Sequence, residues 1–114
     1  MTDKRQLAVL GASGHGKVCA DIAEQLGYDV HFFDKRHAQM PATLGPWPVV
    51  GGDAALVDLA QNYHAFFVAI GDNATRMRCC DDLLARGLLL ATLVSPDACV
   101  SRYAEIAPGS VVMP

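Results

Sequence analysis

The chain has 114 residues, a net charge of −3 and a pI of about 5.7; 52% of its residues are hydrophobic and 18% charged. That length suits one domain with one core, and that much apolar surface excludes intrinsic disorder. The acidic balance argues against a sequence-independent nucleic-acid binder, which needs a basic stripe to displace counterions, and no apolar run approaches the ~20 residues that span a bilayer. The apolar run between Lys4-Arg5 and Gly11 is only Leu7 to Leu10, too short for a signal-peptide core. A cytoplasmic protein with no membrane insertion is the expectation.

Leu7-Ala8-Val9-Leu10 is a continuous apolar run that stops at glycine, which predicts a parallel strand buried on both faces. The turn Gly11-Ala12-Ser13-Gly14-His15-Gly16 follows. Val18, Cys19, Ile22, Ala23 and Leu26 then recur at helical spacing, with Gly27 as the stop. Val30 to Phe33 read as a second strand ending at Asp34, so the first 34 residues form a right-handed β-α-β unit. Residues 35–48, with three prolines and no period, read as a loop that opens on Lys35-Arg36-His37. Val49-Val50 reads as a short strand. Asp53 reads as the N-cap of a helix carrying Leu56, Val57 and Ala60. Ala65 to Ile70 is the next buried strand, stopped by Gly71. Asn73 reads as the N-cap of a helix through Met77, Cys80, Leu83 and Leu84, which ends at Arg86-Gly87. Leu88 to Val94 read as a further strand. This alternation predicts an α/β fold, a parallel sheet with flanking helices.

After Val94 the period changes. Val94, Val100, Ile106 and Val112 are spaced by six, and Ala98, Ala104 and Ser110 sit four residues after the first three of them. Pro96-Asp97 and Pro108-Gly109 mark turns between. This is the hexapeptide repeat of a parallel β-helix, in which aliphatic residues point into a narrow triangular core. The chain thus divides into an α/β domain over 1–93 and the start of a β-helix over 94–114. Residues 94–111 make one coil, which cannot cover its own core. The expectation is the N-terminal part of a longer protein whose β-helix is truncated here.

The glycine turn is the main functional signal. Between a buried strand and a helix it aims free backbone N–H groups and the positive helix end at one point, and phosphate or diphosphate is the natural guest. Glycine permits close approach of the anion. The spacing is G-x-x-G-x-G, not the G-x-G-x-x-G of dinucleotide folds. Ser13 and His15 can both donate to phosphate oxygens, although His15 taken alone serves equally as a local cap. Asp34, 23 residues after Gly11, can accept from a ribose diol. Lys35 and Arg36 beside it either hold phosphate or lie in water. Gly71-Asp72-Asn73 closes a strand at the same sheet edge, and Arg76 lies one turn on. Trp47 is either a lid against a base or a packing anchor. His31, His37 and His64 have no partner pattern. The four cysteines, Cys19, Cys79, Cys80 and Cys99, show no C-x-x-C pair, so no metal is expected and they read as reduced apolar thiols. No nucleophile motif is present, and no catalytic residue is expected in this chain.

Together, LAVLGASGHGKV, the strand end FFD, FFVAIGDNATR and VSPDACVSRYAEIAPGSVVMP resemble the N-terminal half of bacterial nucleotide-sugar acyltransferases. These include the N-acetyltransferases of bacillosamine synthesis and pilin glycosylation and the related sialic-acid O-acyltransferases. The resemblance implies a small Rossmann-like domain that binds a UDP-sugar, followed by a left-handed β-helix. It implies trimers through that β-helix, acetyl-CoA between adjacent β-helices, and a general-base histidine further along than this chain runs. Carried over, Gly11, Ser13, Gly14, His15 and Gly16 surround the diphosphate, Asp34 and Lys35 flank the nucleotide, and Gly71, Asp72, Asn73 and Arg76 line the same pocket. Many relatives have Asn where Asp72 stands. The chain as given is then a UDP-amino-sugar-binding domain that does not transfer acetyl groups by itself, and a monomer or weak oligomer. The alternatives are a free-standing NAD(P)-type dinucleotide-binding module or small oxidoreductase, with Asp34 on an adenosine ribose, and a non-enzymatic interaction domain.

Overall fold

Residues 4–114 are described by the computed structural model, and they form a mixed α/β fold. The elements in chain order are β1 (Arg5–Leu10), α1 (Gly14–Gln25), β2 (Tyr28–Phe33), β3 (Thr43–Leu44), β4 (Trp47–Gly51), α2 (Asp53–Leu59), β5 (Ala65–Val68), α3 (Asn73–Ala85), β6 (Leu93–Val94) and β7 (Val111–Val112). Single 3-10 turns occupy His37–Gln39 and Ala60–Asn62. β3, β4, β2, β1 and β5 form one sheet in that order. All its pairings are parallel except that of β3 with β4.

The glycine-terminated apolar runs form strands that are buried on both faces. Along β1, Leu7 and Val9 face one core and Ala8 and Leu10 the other. The first core is closed by Cys19, Ala20, Ile22 and Ala23 of α1, and the second by Leu56 of α2 and Leu83 of α3. Helices on both faces bury Leu7 to Leu10 of β1 and all of β5, which is why those runs show no alternation.

Several boundaries differ from the expected ones, each for a physical reason. Val18 is exposed, since α1 turns its narrow Cys19–Ile22–Ala23 stripe to the sheet and Val18 outward. On α3 only Leu83 is fully buried, while Met77 and Leu84 face solvent. The region read as a loop holds β3, a two-residue strand antiparallel to the start of β4. β4 itself begins at Trp47, before the expected Val49, because proline at 48 is tolerated near a sheet edge. Trp47 is buried edge-on to Phe32, a packing anchor, with its indole N–H unpaired. His31 lies with Nδ1 2.8 Å from the Tyr63 hydroxyl, and His64 Nδ1 accepts the Gln6 amide.

Leu88 to Val94 do not form a sixth sheet strand. Only Leu90 bridges to Phe66 of β5. The chain then leaves the sheet, and β6 pairs in parallel with β7, Leu93 with Val111 and Val94 with Val112, at an offset of eighteen residues. Residues between them form no helix. Leu93 is fully buried in the α1-side core and Val111 packs against the same core. Val94, Ile106 and Val112 are partly buried, and Val100 is exposed.

Candidate functional site

With the β3 hairpin set aside, the parallel strands run β4, β2, β1, β5, so the chain steps outward in one direction from β1 and then returns to β1's other side. Strand order reverses between β1 and β5, and in open α/β sheets ligands bind at the carboxyl ends of strands at such a reversal. A cleft of about 690 Å³ lies there, lined by the ends of β1, β2 and β5 and by the first turns of α2 and α3.

Gly11 lets the end of β1 lie close against the end of β5. Its φ is +107°, and a Cβ on it would stand 2.6 Å from the Ala69 carbonyl oxygen. Gly16 serves the packing of α1 on the sheet, since a Cβ there would fall 2.3 Å from the Gly11 oxygen and 3.0 Å from the Phe32 ring. Gly14 is different: its φ is not positive, and nothing lies within 4 Å of the place a Cβ would take. Neither chain geometry nor packing asks for glycine at that position.

Ser13 is the N-cap of α1, and its hydroxyl accepts the Gly16 amide at 3.3 Å. The amides of Ser13, Gly14 and His15 precede the first intrahelical bond, so this twelve-residue helix presents them unpaired at its positive end. The Ala12 amide is not among them, because it donates to Asp34 Oδ2 at 2.9 Å. The other Asp34 oxygen accepts the Arg36 amide at 2.9 Å, and the Arg36 guanidinium stands 3.6 Å away. Burial pushes the Asp34 carboxyl up, but the two amides and Arg36 outweigh it and hold the group below the ordinary carboxylate range.

At the β5 end, the helix cap is Asp72, one residue before the expected Asn73. Its carboxylate accepts the Thr75 amide at 2.9 Å and the Thr75 hydroxyl at 2.7 Å, and these bonds lower its pKa. Asn73 is the first helical residue, and its side-chain oxygen receives the Arg76 guanidinium. Arg76 also donates to the Ile70 oxygen at 3.0 Å and so staples the turn from β5 into α3. Asp53 likewise opens α2 from within, with Gly52 in the cap position.

Of the residues singled out from sequence, Gly11, Ser13, Asp34, Lys35, Gly71 and Asp72 line the cleft. Gly14, His15, Gly16, Asn73 and Arg76 do not. His15 is exposed on α1, with Nε2 3.7 Å from the buried Cys19 sulfur. Burial pushes that thiol up to about 11, so it behaves as an apolar side chain, and all four cysteines are free. The cleft also draws on Arg36, Asp53, Thr75 and Cys79, besides the strand-end residues Leu10, Phe33, Ala69 and Ile70. Thr75 and Cys79 were findable: three and seven residues after Asp72 on a helix, they share its face.

A mostly parallel sheet that reverses order beside a glycine turn, with unpaired amides at the mouth of a strand-end cleft, defines the class: a mixed α/β domain with a cleft at its strand ends. The chain belongs to the PglD N-terminal domain family, whose profile matches residues 6–83. Among solved structures it is similar to the acetyltransferase domain of PglB from Neisseria gonorrhoeae FA1090, in complex with acetyl coenzyme A. Identity there is 39% and the TM-score 0.87, over 97% of this chain and 54% of that one. PerB from Caulobacter crescentus, in complex with CoA and GDP-perosamine, is similar at 34% identity and a TM-score of 0.82, over 95% of this chain and 51% of that one. A mutant perosamine N-acetyltransferase from the same organism, in complex with the same two ligands, gives 34% and 0.83, over 95% and 51%. The chain spans about half the length of these proteins. No helix among the described residues is long and apolar enough to cross a membrane.

Proposed function

We propose that this chain is the Rossmann-like, nucleotide-sugar-binding domain of an acetyl-CoA-dependent amino-sugar N-acetyltransferase. The diphosphate rests on the Ser13, Gly14 and His15 amides, and the nucleoside lies along the cleft past Asp34 and Lys35. Gly71 and Asp72 form the opposite wall, with Asn73 and Arg76 holding that wall in shape. The eighteen-residue offset between β6 and β7 supports a division of the chain at residue 93, with a first triangular coil of a left-handed β-helix over 94–114. In the whole protein that β-helix carries the acetyl-CoA site, the base that takes the amine proton, and the contacts of a homotrimer. The protein works in the cytoplasm, where acetyl-CoA and nucleotide sugars are made.

The observation that carries this reading is Gly14. A glycine with open space around it, at the helix end whose amides are unpaired, is explained by a ligand that approaches the backbone closely. Similarity to proteins whose structures hold CoA and GDP-perosamine gives the ligand its class. Asp34 is already bound to two amides and its side chain is 8% exposed, so its carboxylate is oriented by the glycine turn, which disfavours the dinucleotide-binding reading.

Calorimetric titration of the folded 114-residue chain with UDP- and GDP-linked amino sugars tests it. Saturable heat with at least one of them, competed by its nucleoside diphosphate, is the expected result, and the comparison reads out the base. No heat with either series, or tight NADH binding instead, overturns the assignment.

A further inference from the structure

Asp34 stands at the carboxyl end of β2, where α/β folds that bind ribonucleotides commonly place an acid for the ribose diol. In this chain every polar atom of Asp34 is already engaged. Its amide donates to the Gly51 oxygen at 2.9 Å, and its carbonyl accepts the His37 amide at 3.0 Å. Oδ2 holds the Ala12 amide and Oδ1 the Arg36 amide, both at 2.9 Å. The side chain is only 8% exposed. Turning the carboxylate toward a ligand would strand the amide of Ala12, a residue that is itself buried.

These bonds tie the ends of three strands together. Phe33, just before Asp34, accepts the Gly11 amide, so β2 grips two successive amides of the glycine turn, one by main chain and one by side chain. Asp34 thereby decides which amides stay free: Ala12 is withdrawn, and Ser13, Gly14 and His15 are presented. Of the other carboxylates in the lining, Asp72 is committed to Thr75, and Asp53 lies at the start of α2, where the cleft passes into a neighbouring recess shared with Lys35 and His37.

We propose that Asp34 is a positioning residue that clasps the glycine turn and does not read the ribose, so that the cleft takes 2′-deoxyribonucleoside diphosphates as readily as ribonucleoside diphosphates. This rests on the nucleotide reading above and narrows it: the 2′-hydroxyl is not a determinant, and deoxynucleotide-linked sugars fall within the ligand class.

The experiment is a cycle of protein and ligand changes. UDP and GDP are each paired with the 2′-deoxy form, and inorganic pyrophosphate is the third ligand. All are titrated into the unaltered chain and into Asp34→Asn, and melting is followed for both proteins. A hydrogen bond that reads a hydroxyl is worth about tenfold in affinity. The expected result is less than about twofold between ribo and deoxy forms on the unaltered chain. Asp34→Asn is expected to weaken nucleotides and pyrophosphate by a similar factor, roughly tenfold, because one amide of the clasp loses its acceptor and the anion seat shifts.

A tenfold preference of the unaltered chain for the ribo form overturns the proposal, and that measurement needs no variant. If Asp34→Asn abolishes that preference, Asp34 reads the diol; if the preference survives, Asp53 becomes the reader. A variant that melts lower but binds all three ligands unchanged shows Asp34 to be structural only, and overturns the positioning role. If the folded, unaltered chain binds none of the ligands, the nucleotide reading itself fails. Failure of the ribose inference alone leaves nucleotide binding intact.

Discussion

Gly14 and Gly16 look alike in the sequence and do opposite work. A methyl group on Gly16 collides with the backbone of the turn, so Gly16→Ala should destabilise the fold by about 1–3 kcal/mol, as overpacking of a close contact does. A methyl group on Gly14 meets nothing, and alanine suits a first helical turn. Gly14→Ala should therefore leave stability within about 0.5 kcal/mol or raise it, through the restricted unfolded chain. It should also weaken nucleotide-sugar binding by about tenfold, since the anion can no longer approach the amides. Urea unfolding and calorimetric titration of the two variants separate these outcomes. If Gly14→Ala binds as the unaltered chain does, the turn is a folding device and its amides are not the ligand's seat.

At the scale of elements, the two long helices meet the cleft with different caps. Ser13 caps α1 with a neutral hydroxyl, whereas Asp72 caps α3 with a charged carboxylate whose pKa is lowered by the Thr75 hydroxyl and amide. A carboxyl lowered in the folded state contributes stability that is present above its unfolded pKa, about 3.9, and is lost as pH falls through the folded value. Asp34 shifts in the same direction. Melting temperature should thus hold from neutral pH down to about 4 and fall below it, and Asp72→Asn, which caps without a charge, should show a shallower acid limb. Identical acid limbs would deny the cap its share. The cap also marks how far the sequence could be read. β1, α1, β5 and the glycine turn were legible because burial on both faces and helical spacing leave plain patterns. The choice between Asp72 and Asn73 was not, since both residue types cap well and only backbone geometry separates them. β3 and the first two residues of β4 were hidden by the prolines around them, while Val49-Val50 was legible as a strand. The clasp by Asp34 was hidden because a strand-end acid reads the same whether it faces a ligand or an amide.

For the whole molecule, the question is whether residues 93–112 form a separate unit or share the core of the sheet. The eighteen-residue offset between β6 and β7 equals three hexads, but Leu93, one residue before the first hexad position, carries the attachment. It is fully buried among the α1-side residues, with Val111 packed against the same core, while Val94 and Val112, their neighbours along the two paired strands, remain partly open. The two faces of this short parallel pair thus differ, one packed on the sheet's core and the other partly open. A shared core predicts one cooperative unfolding transition, monitored together by Trp47 fluorescence and far-ultraviolet circular dichroism. Leu93→Ala should move that single transition by about 2–5 kcal/mol, the cost of emptying a buried leucine site. Val100→Ala, at an exposed hexad position, should move it by less than about 0.5 kcal/mol. Two transitions, or a Leu93→Ala chain as stable as the unaltered one, would mean that residues 93–112 fold apart from the sheet and that the cleft is not mechanically joined to the β-helix it is proposed to serve.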